Sequence, residues 1–200
     1  LRHAADRHGN QAGRPVMYNE YLTTVAQFPN VLSAEECRRL IELPLPAAEA
    51  EVSLRDTNLV DKSISRVDYG LRRTRIKSIP PGPDTMWVFE RVGNIVGRAN
   101  ATTFRFQLDG QMSMDVLEYD PSGYFDWHVD IGAGIFSTRK LSIVTFLTAP
   151  EDYAGGNLCF MDQGEPLRLA QGTMAIFPSY LLHKVEPVTR GTRHTLVSWA

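Results

Sequence analysis

Residues 124–130 read YFDWHVD, and the last three place an imidazole and a carboxylate two positions apart. Successive side chains of an extended strand alternate faces, so His128 and Asp130 point the same way. Together they can fill two adjacent positions of an octahedral metal. A second histidine, His183, lies in FPSYLLHKVEP, another segment with strand character. Two histidines and one carboxylate on one face, with the opposite face open, are the donor set of the non-heme Fe(II) facial triad. The open positions of such a centre receive a bidentate co-substrate and O2. An isolated H-x-D tripeptide also recurs by chance on solvent-facing strands, and on these three residues alone both readings stand.

Ten residues past His183 comes Arg193, in TRHTLVSW. On a strand, Arg193, Thr195, Val197 and Trp199 share one face, opposite His194. An arginine fork holds a carboxylate bidentately, and a neighbouring hydroxyl can complete the grip. A 2-oxo diacid needs such a grip when its keto-acid end chelates a metal. The remaining polar groups read more plainly. Cys37 and Cys159 stand far apart, without CxxC or Cys/His zinc spacing, which fits two semi-buried thiols in a reducing compartment. The run Arg72, Arg73, Arg75 and Lys77 reads as a solvated strand face, with the entrance to an acidic substrate as the alternative. Arg139 and Lys140 read as rim salt-bridge residues rather than substrate contacts. His3 and His8 fall in a polar stretch and read as solvated.

These groups need a scaffold, and composition bounds it. The chain has 200 residues, 43% hydrophobic and 22% charged, which predicts a single soluble domain. A net charge of -2 removes the electrostatic argument for nucleic acid or anionic membrane as a partner. No apolar run approaches the roughly 18 residues of a membrane span. The chain opens on Leu1 rather than Met, which reads as part of a longer protein. Residues 1–17 are polar and aperiodic and are expected to form a flexible tail. They carry no signal-peptide core, so the expected location is cytoplasmic. The domain is expected over 18–200, with helical support about 28–100 and a strand-rich core about 102–199.

Ser33 and Glu36 form an S-x-x-E capping box ahead of Cys37, Leu40 and Ile41, which predicts a helix over about 33–43. A second helix is predicted at about 84–100, with Asp84 as N-cap and Val88, Val92, Ile95 and Val96 buried. From residue 102 the texture changes to short strands: TFRFQL, MSMDVLEY, KLSIVTFL, GNLCFM, TMAIFP and TRHTLVSW. Helices followed by a run of strands read as α+β, mainly β: a sandwich or barrel buttressed by N-terminal helices.

From FPNVLSAEECRRLIEL through EYDPSGYFDWHVD, RKLSIVTFLT, GGNLCF and QGTMAIFPSYLLHKVEPVTRGTRHTLVSW, the sequence resembles the Fe(II)- and 2-oxoglutarate-dependent dioxygenases of the prolyl 4-hydroxylase type, including the PKHD-like hydroxylases. The resemblance covers about 28–199 and implies a double-stranded β-helix, or jelly roll. It implies His128, Asp130 and His183 as iron ligands and Arg193 as the partner of the far carboxylate of 2-oxoglutarate. Tyr119 matches a tyrosine whose hydroxyl contacts that carboxylate, Thr195 is a further contact, and Trp199 walls the metal pocket. Phe146 stands where some relatives place a tyrosine or threonine, which removes one hydroxyl from the co-substrate. The implied activity is hydroxylation of an unactivated C–H bond, with O2 consumed, 2-oxoglutarate converted to succinate and CO2, and ascorbate as a candidate accessory reductant. Asp130 disfavours halogenation, because halogenating relatives carry a small residue there. The expected substrate is a prolyl residue, or a free amino-acid-like small molecule, held by the segment 47–82 and by a closing loop at Ile131–Thr138. The competing classes are a non-catalytic jelly-roll metal- or ligand-binding module and a Zn- or Mn-dependent cupin-like enzyme. Neither requires Arg193 beside an intact triad. The sequence leaves the oligomeric state open.

Overall fold

A computed structural model describes residues 20–55, 63–110, 112–161 and 163–200; the predicted tail 1–17 lies outside them. The first half of the chain supplies β1 (Ala26–Phe28), α1 (Ala34–Ile41), β2 (Ala48–Glu49), β3 (Val52–Arg55), β4 (Ser63–Arg66), β5 (Arg72–Arg73), β6 (Arg75–Ile79) and α2 (Met86–Ala99). The second half supplies β7 (Ser113–Tyr119), β8 (Tyr124–His128), β9 (Leu141–Phe146), β10 (Ala154–Gly155), β11 (Leu158–Phe160) and β12 (Gln163–Leu167). It ends with β13 (Met174–Pro178), β14 (His183–Val185), β15 (Val188–Arg190) and β16 (Arg193–Trp199). None of the described helices is long and apolar enough to cross a membrane.

Two antiparallel sheets carry the architecture. The major sheet has seven strands in the order β1-β13-β9-β16-β7-β6-β2, and the minor sheet five in the order β12-β11-β14-β8-β5. β3 with β4, and β10 with β15, form separate two-stranded ribbons. The expected jelly roll is the fold observed. Strand alternation splits the core into two layers. From β7, β9, β13 and β16, Met114, Val116, Leu141, Ile143, Ile176 and Leu196 pack with Leu40, Val88, Val92 and Val96 of the helices. Their neighbours Leu117, Tyr119, Val144, Phe146, Phe177 and Val197 face inward, against Leu158, Phe160 and Val185 of the minor sheet.

The capping box forms as predicted. The Glu36 N–H donates to Ser33 Oγ at 3.2 Å, and the Ser33 N–H to Glu36 Oε2 at 2.9 Å, an arrangement worth about 1 kcal/mol. The start of α2 differs from expectation: Thr85, not Asp84, occupies the N-cap, and its hydroxyl donates to the Pro80 carbonyl at 2.6 Å instead of capping the helix. The predicted strand TFRFQL is also absent. A π-turn over Asn100–Phe104 prolongs α2. The Asn100 side chain then accepts from the Phe106 N–H and donates to its carbonyl, both at 2.8 Å. This clamp consumes the backbone groups a strand would have paired.

Candidate metal centre and its cavity

β8 and β14 bring the candidate ligands together. They pair antiparallel with His183 directly opposite His128. β8 ends at His128, so Asp130 is not held by strand alternation. Its N–H donates to the Ser179 carbonyl at 2.9 Å, in the turn between β13 and β14. That turn also corrects the reading of FPSYLLHKVEP as one strand: Phe177 and Pro178 close β13 in the major sheet, and His183 opens β14 in the minor one. The reversal lets one short segment hold both the backbone of Asp130 and the imidazole of His183.

His128 Nε2 lies 3.6 Å from Asp130 Oδ1, and His183 Nε2 lies 3.6 Å from Asp130 Oδ2. One ligand atom from each residue falls within 4.8 Å of the others. The far ring nitrogens are tied back: Nδ1 of His128 lies 2.7 Å from the Asp126 carbonyl and Nδ1 of His183 2.8 Å from the Leu181 carbonyl. Carbonyls only accept, so each Nδ1 carries the proton and each Nε2 keeps its lone pair for a metal. The ring of Phe125 stacks on His128 at 3.4 Å, and Phe177 meets His183 edge-on at 4.9 Å. Ser142 Oγ donates to Asp130 Oδ2 at 2.6 Å and lies 2.9 Å from Ser179 Oγ.

The electrostatics favour metal-ready protonation states. Burial, with help from the neighbouring His183, pushes the His128 imidazole down to about 3, so it is neutral at physiological pH. The Asp130 carboxyl is resisted by burial, yet the two histidines, Ser142 and the Trp199 indole hold it below the usual carboxylate range. The neutral His128 imidazole and the Asp130 carboxylate, with His183 Nε2 turned toward them, therefore fit a divalent cation that prefers mixed nitrogen and oxygen donors.

A cavity of about 790 Å³ opens between the sheets, lined by the three ligands and by Tyr119, Arg193, Thr195 and Trp199. Arg193 is 1% exposed, and its Nε, Nη1 and Nη2 all lack hydrogen-bond partners. It lies against the rings of Tyr119 and Phe146, with Cζ 5.1 and 5.3 Å from their centroids. A buried, unpaired guanidinium is expensive unless an anion meets it, so this end of the cavity fits a carboxylate. Thr195 is buried two residues away on the same face, and Phe146 faces the site without a hydroxyl, as the sequence indicates. Trp199 borders the metal end, where it pairs across the sheet with Ser142.

The cavity is also lined by Arg72, which the sequence gives first as part of a solvated face and only alternatively as an entrance residue, by Arg139, which it gives as a rim salt-bridge residue, and by Asp115, which it does not single out. The basic run is split, because Arg72–Arg73 pairs with β8 in the minor sheet and Arg75–Ile79 with β7 in the major one. Arg72 turns to the cavity, while Arg75 bonds Glu118 outside it at 3.1 Å. Arg139 forms no salt bridge among the described residues and stacks 3.8 Å over Trp199. Gly132 and Phe136 show that the expected closing loop does border the cavity, and Ile135 at its tip is 83% exposed. Both cysteines are free and buried, and burial pushes the Cys37 thiol up to about 11.

Comparison with known proteins agrees with this geometry. Residues 114–200 match the 2OG-Fe(II) oxygenase superfamily. A PKHD-type hydroxylase of Janthinobacterium sp. (strain Marseille) is 30% identical over 170 residues, covering 79% of this chain and 75% of that protein. A PKHD-type hydroxylase of Prochlorococcus marinus is 48% identical over 78 residues, 38% of this chain and 35% of that protein. Among solved structures, a Pseudomonas putida prolyl-4-hydroxylase superposes with a TM-score of 0.64 at 21% identity, covering 88% of this chain and 91% of that one, a likeness of fold.

Proposed function

This chain belongs to the PKHD-type hydroxylases, whose superfamily is that of the 2-oxoglutarate–Fe(II) oxygenases, and on that premise we propose that His128, Asp130 and His183 hold the iron while Arg193 holds the co-substrate's far carboxylate. The observation that carries the assignment is the fully buried, unpartnered Arg193 guanidinium in the same cavity as the three converging ligands. With iron and 2-oxoglutarate bound, O2 is the oxidant: one oxygen atom enters the substrate C–H bond as a hydroxyl, and the other enters succinate as CO2 leaves. Ascorbate is assigned the accessory role of restoring Fe(II) after unproductive turnover.

The protein's own part is binding, orientation and exclusion of water. The Asp126 and Leu181 carbonyls fix the two imidazoles with Nε2 toward the centre. Ser142 and the backbone bond to Ser179 hold the Asp130 carboxylate between them. Arg193 and Thr195 fix the reach of the co-substrate, and Tyr119 lies against the Arg193 guanidinium on the neighbouring strand. Val144, Leu158 and Val197 give the intervening wall its apolar character. None of these steps needs a side-chain general base. The buried free thiols fit a reducing compartment, and the cytoplasm is the proposed one.

Anaerobic titration with Fe(II) and then 2-oxoglutarate tests the assignment. The expected result is a weak visible charge-transfer band that His183→Ala abolishes. Folded, metal-loaded protein that never develops the band would overturn it in favour of a binding module or another metal.

A further inference from the structure

The cavity holds more positive charge than the co-substrate can use. Besides Arg193, it is lined by Arg72 and Arg139, both half-buried. Arg72 lies 4.5 Å over the Phe125 ring, which itself stacks on the candidate ligand His128. Its Nε is buried without a partner, and its hydrogen bond to the Glu51 carbonyl is a long 3.4 Å. Arg139 lies 3.8 Å over Trp199 and 4.4 Å over Phe136, and makes no hydrogen bond among the described residues. Burial works against both charges, and Arg72 also opposes the charge on Arg139.

The counter-charge is short. The carboxylates that act on both guanidiniums are Asp115 and Asp130. Asp130 belongs to the metal in the function proposed above, on which this inference rests. Asp115 is already hydrogen-bonded by Ser78, and neither arginine comes within salt-bridge distance of it. Two other acids border the cavity, but Asp126 is exposed and accepts from the Trp127 N–H, and Glu51 meets Arg72 only through its main chain. A co-substrate chelated at the triad has one free carboxylate, and Arg193 is placed for it. Arg193 and Trp199 mark opposite ends of β16, about 20 Å apart at strand rise, and Arg139 sits on Trp199. Arg139 thus stands at the metal end, away from Arg193, and Arg72 stands over the Phe125 ring beside His128, with Tyr119, Asp130 and Asp115 as the groups that favour its charge.

We propose that Arg72 and Arg139 receive a free carboxylate of the molecule to be hydroxylated, so that the substrate is an acid rather than an internal residue of a peptide chain. Two guanidinium forks over aromatic rings suit a planar, delocalised carboxylate. A peptide carbonyl could accept from the same donors but would leave the charges uncompensated. The chemistry is shared by a free amino-acid-like acid and by the C-terminus of a peptide.

The test uses N-acetyl amino acids, prolyl and others, each as the free acid and as its carboxamide. Tripeptides with free and amidated C-termini form a second arm. Binding is read by calorimetry, on metal-free protein and on anaerobic protein loaded with Fe(II) and 2-oxoglutarate, and by displacement of the charge-transfer band in the loaded form. The expected result is at least one acid that binds about tenfold or more tightly than its amide, a gap that falls to within about twofold in Arg72→Gln and Arg139→Gln. Preference for tripeptide acids would support the proposal with a chain end as the source. Equal binding of acids and amides, no acid binding at all, or an acid preference that survives both substitutions would overturn it. Arg72→Lys and Arg139→Lys, which keep the charge but lose the fork, should retain part of the preference. A band that forms in every variant keeps the iron and co-substrate assignment separate: it can stand while the acid site fails. If the band never forms, the metal-free calorimetry still decides the acid site.

Discussion

At the scale of single residues, the centre is defined by groups whose hydrogen bonds are already spent and by one whose are not. Nδ1 of each candidate histidine is engaged, while Arg193 has no partner for any guanidinium nitrogen. Removing an unpaired buried charge should relieve the folded state, so Arg193→Leu is expected to raise the stability of ligand-free protein by about 1–2 kcal/mol, read from urea unfolding. The same change should weaken 2-oxoglutarate by about thirtyfold or more, the loss of about 2 kcal/mol for a charge-assisted contact, and leave Fe(II) affinity nearly unaltered. Equal loss of both affinities would contradict the role given to Arg193. His128, Asp130, His183 and Arg193 were legible because the H-x-D pair, the distal histidine and the arginine ten residues on occur together, within segments that resemble one family in order and spacing. Arg72 was not, because its neighbours Arg73 and Arg75 have the same charge. What separates them is the crossing between sheets at Thr74, a tertiary event with no local signature.

At the scale of elements, the strand-rich half was read well and the joints poorly. The β7, β9 and β16 patterns alternate cleanly because one face meets the helices and the other the cavity. TFRFQL has strand composition, yet Asn100 clamps Phe106 and the segment leaves the sheet. Gly156, just past β10, approaches the site itself closely. Its φ is +63°, and a Cβ there would come within 2.8 Å of Arg193 Cδ and 2.9 Å of Val188 Cγ2. Gly156→Ala is therefore expected to cost about 1–3 kcal/mol of stability and to displace Arg193. The Kd for 2-oxoglutarate should rise severalfold while the Fe(II) Kd holds. A variant that loses stability with unchanged co-substrate binding would show that the β10 hairpin does not set the position of the guanidinium. The segment Ile131–Thr138 borders the cavity and presents Ile135 to solvent, so its closure over substrate should appear as slower proteolysis there when co-substrate and an acid substrate are added. Unchanged cleavage would leave it a fixed rim.

At the scale of the whole molecule, the two core layers make the site inseparable from folding, and pH should reveal it. His128 is held down to about 3, mainly by burial, and burial likewise lowers His194, which lies 3.4 Å from Glu118 Oε2. Both imidazoles are neutral in the folded chain and protonate near 6.5 once unfolded. Below that value the unfolded chain binds more protons, so the histidines' contribution is fully present above about pH 6.5 and is lost as the pH falls. Each withheld proton can contribute a slope of up to about 1.4 kcal/mol per pH unit. The Asp130 shift adds a loss of its own only beneath the ordinary carboxylate value, while the Asp115 carboxyl, pushed up by burial, works against the histidine slope, so the histidine share is the part that the two substitutions remove. Urea unfolding of metal-free protein between about pH 4.5 and 6.5 should show stability falling with acid, and His128→Gln and His194→Gln should each flatten the slope. Saturating metal should leave the slope at least as steep, because the bound ion keeps protons off His128 in the folded chain while the unfolded chain still takes them up. A slope unchanged in both variants would place the acid sensitivity elsewhere in the fold and remove the argument that the imidazoles are held neutral for the metal.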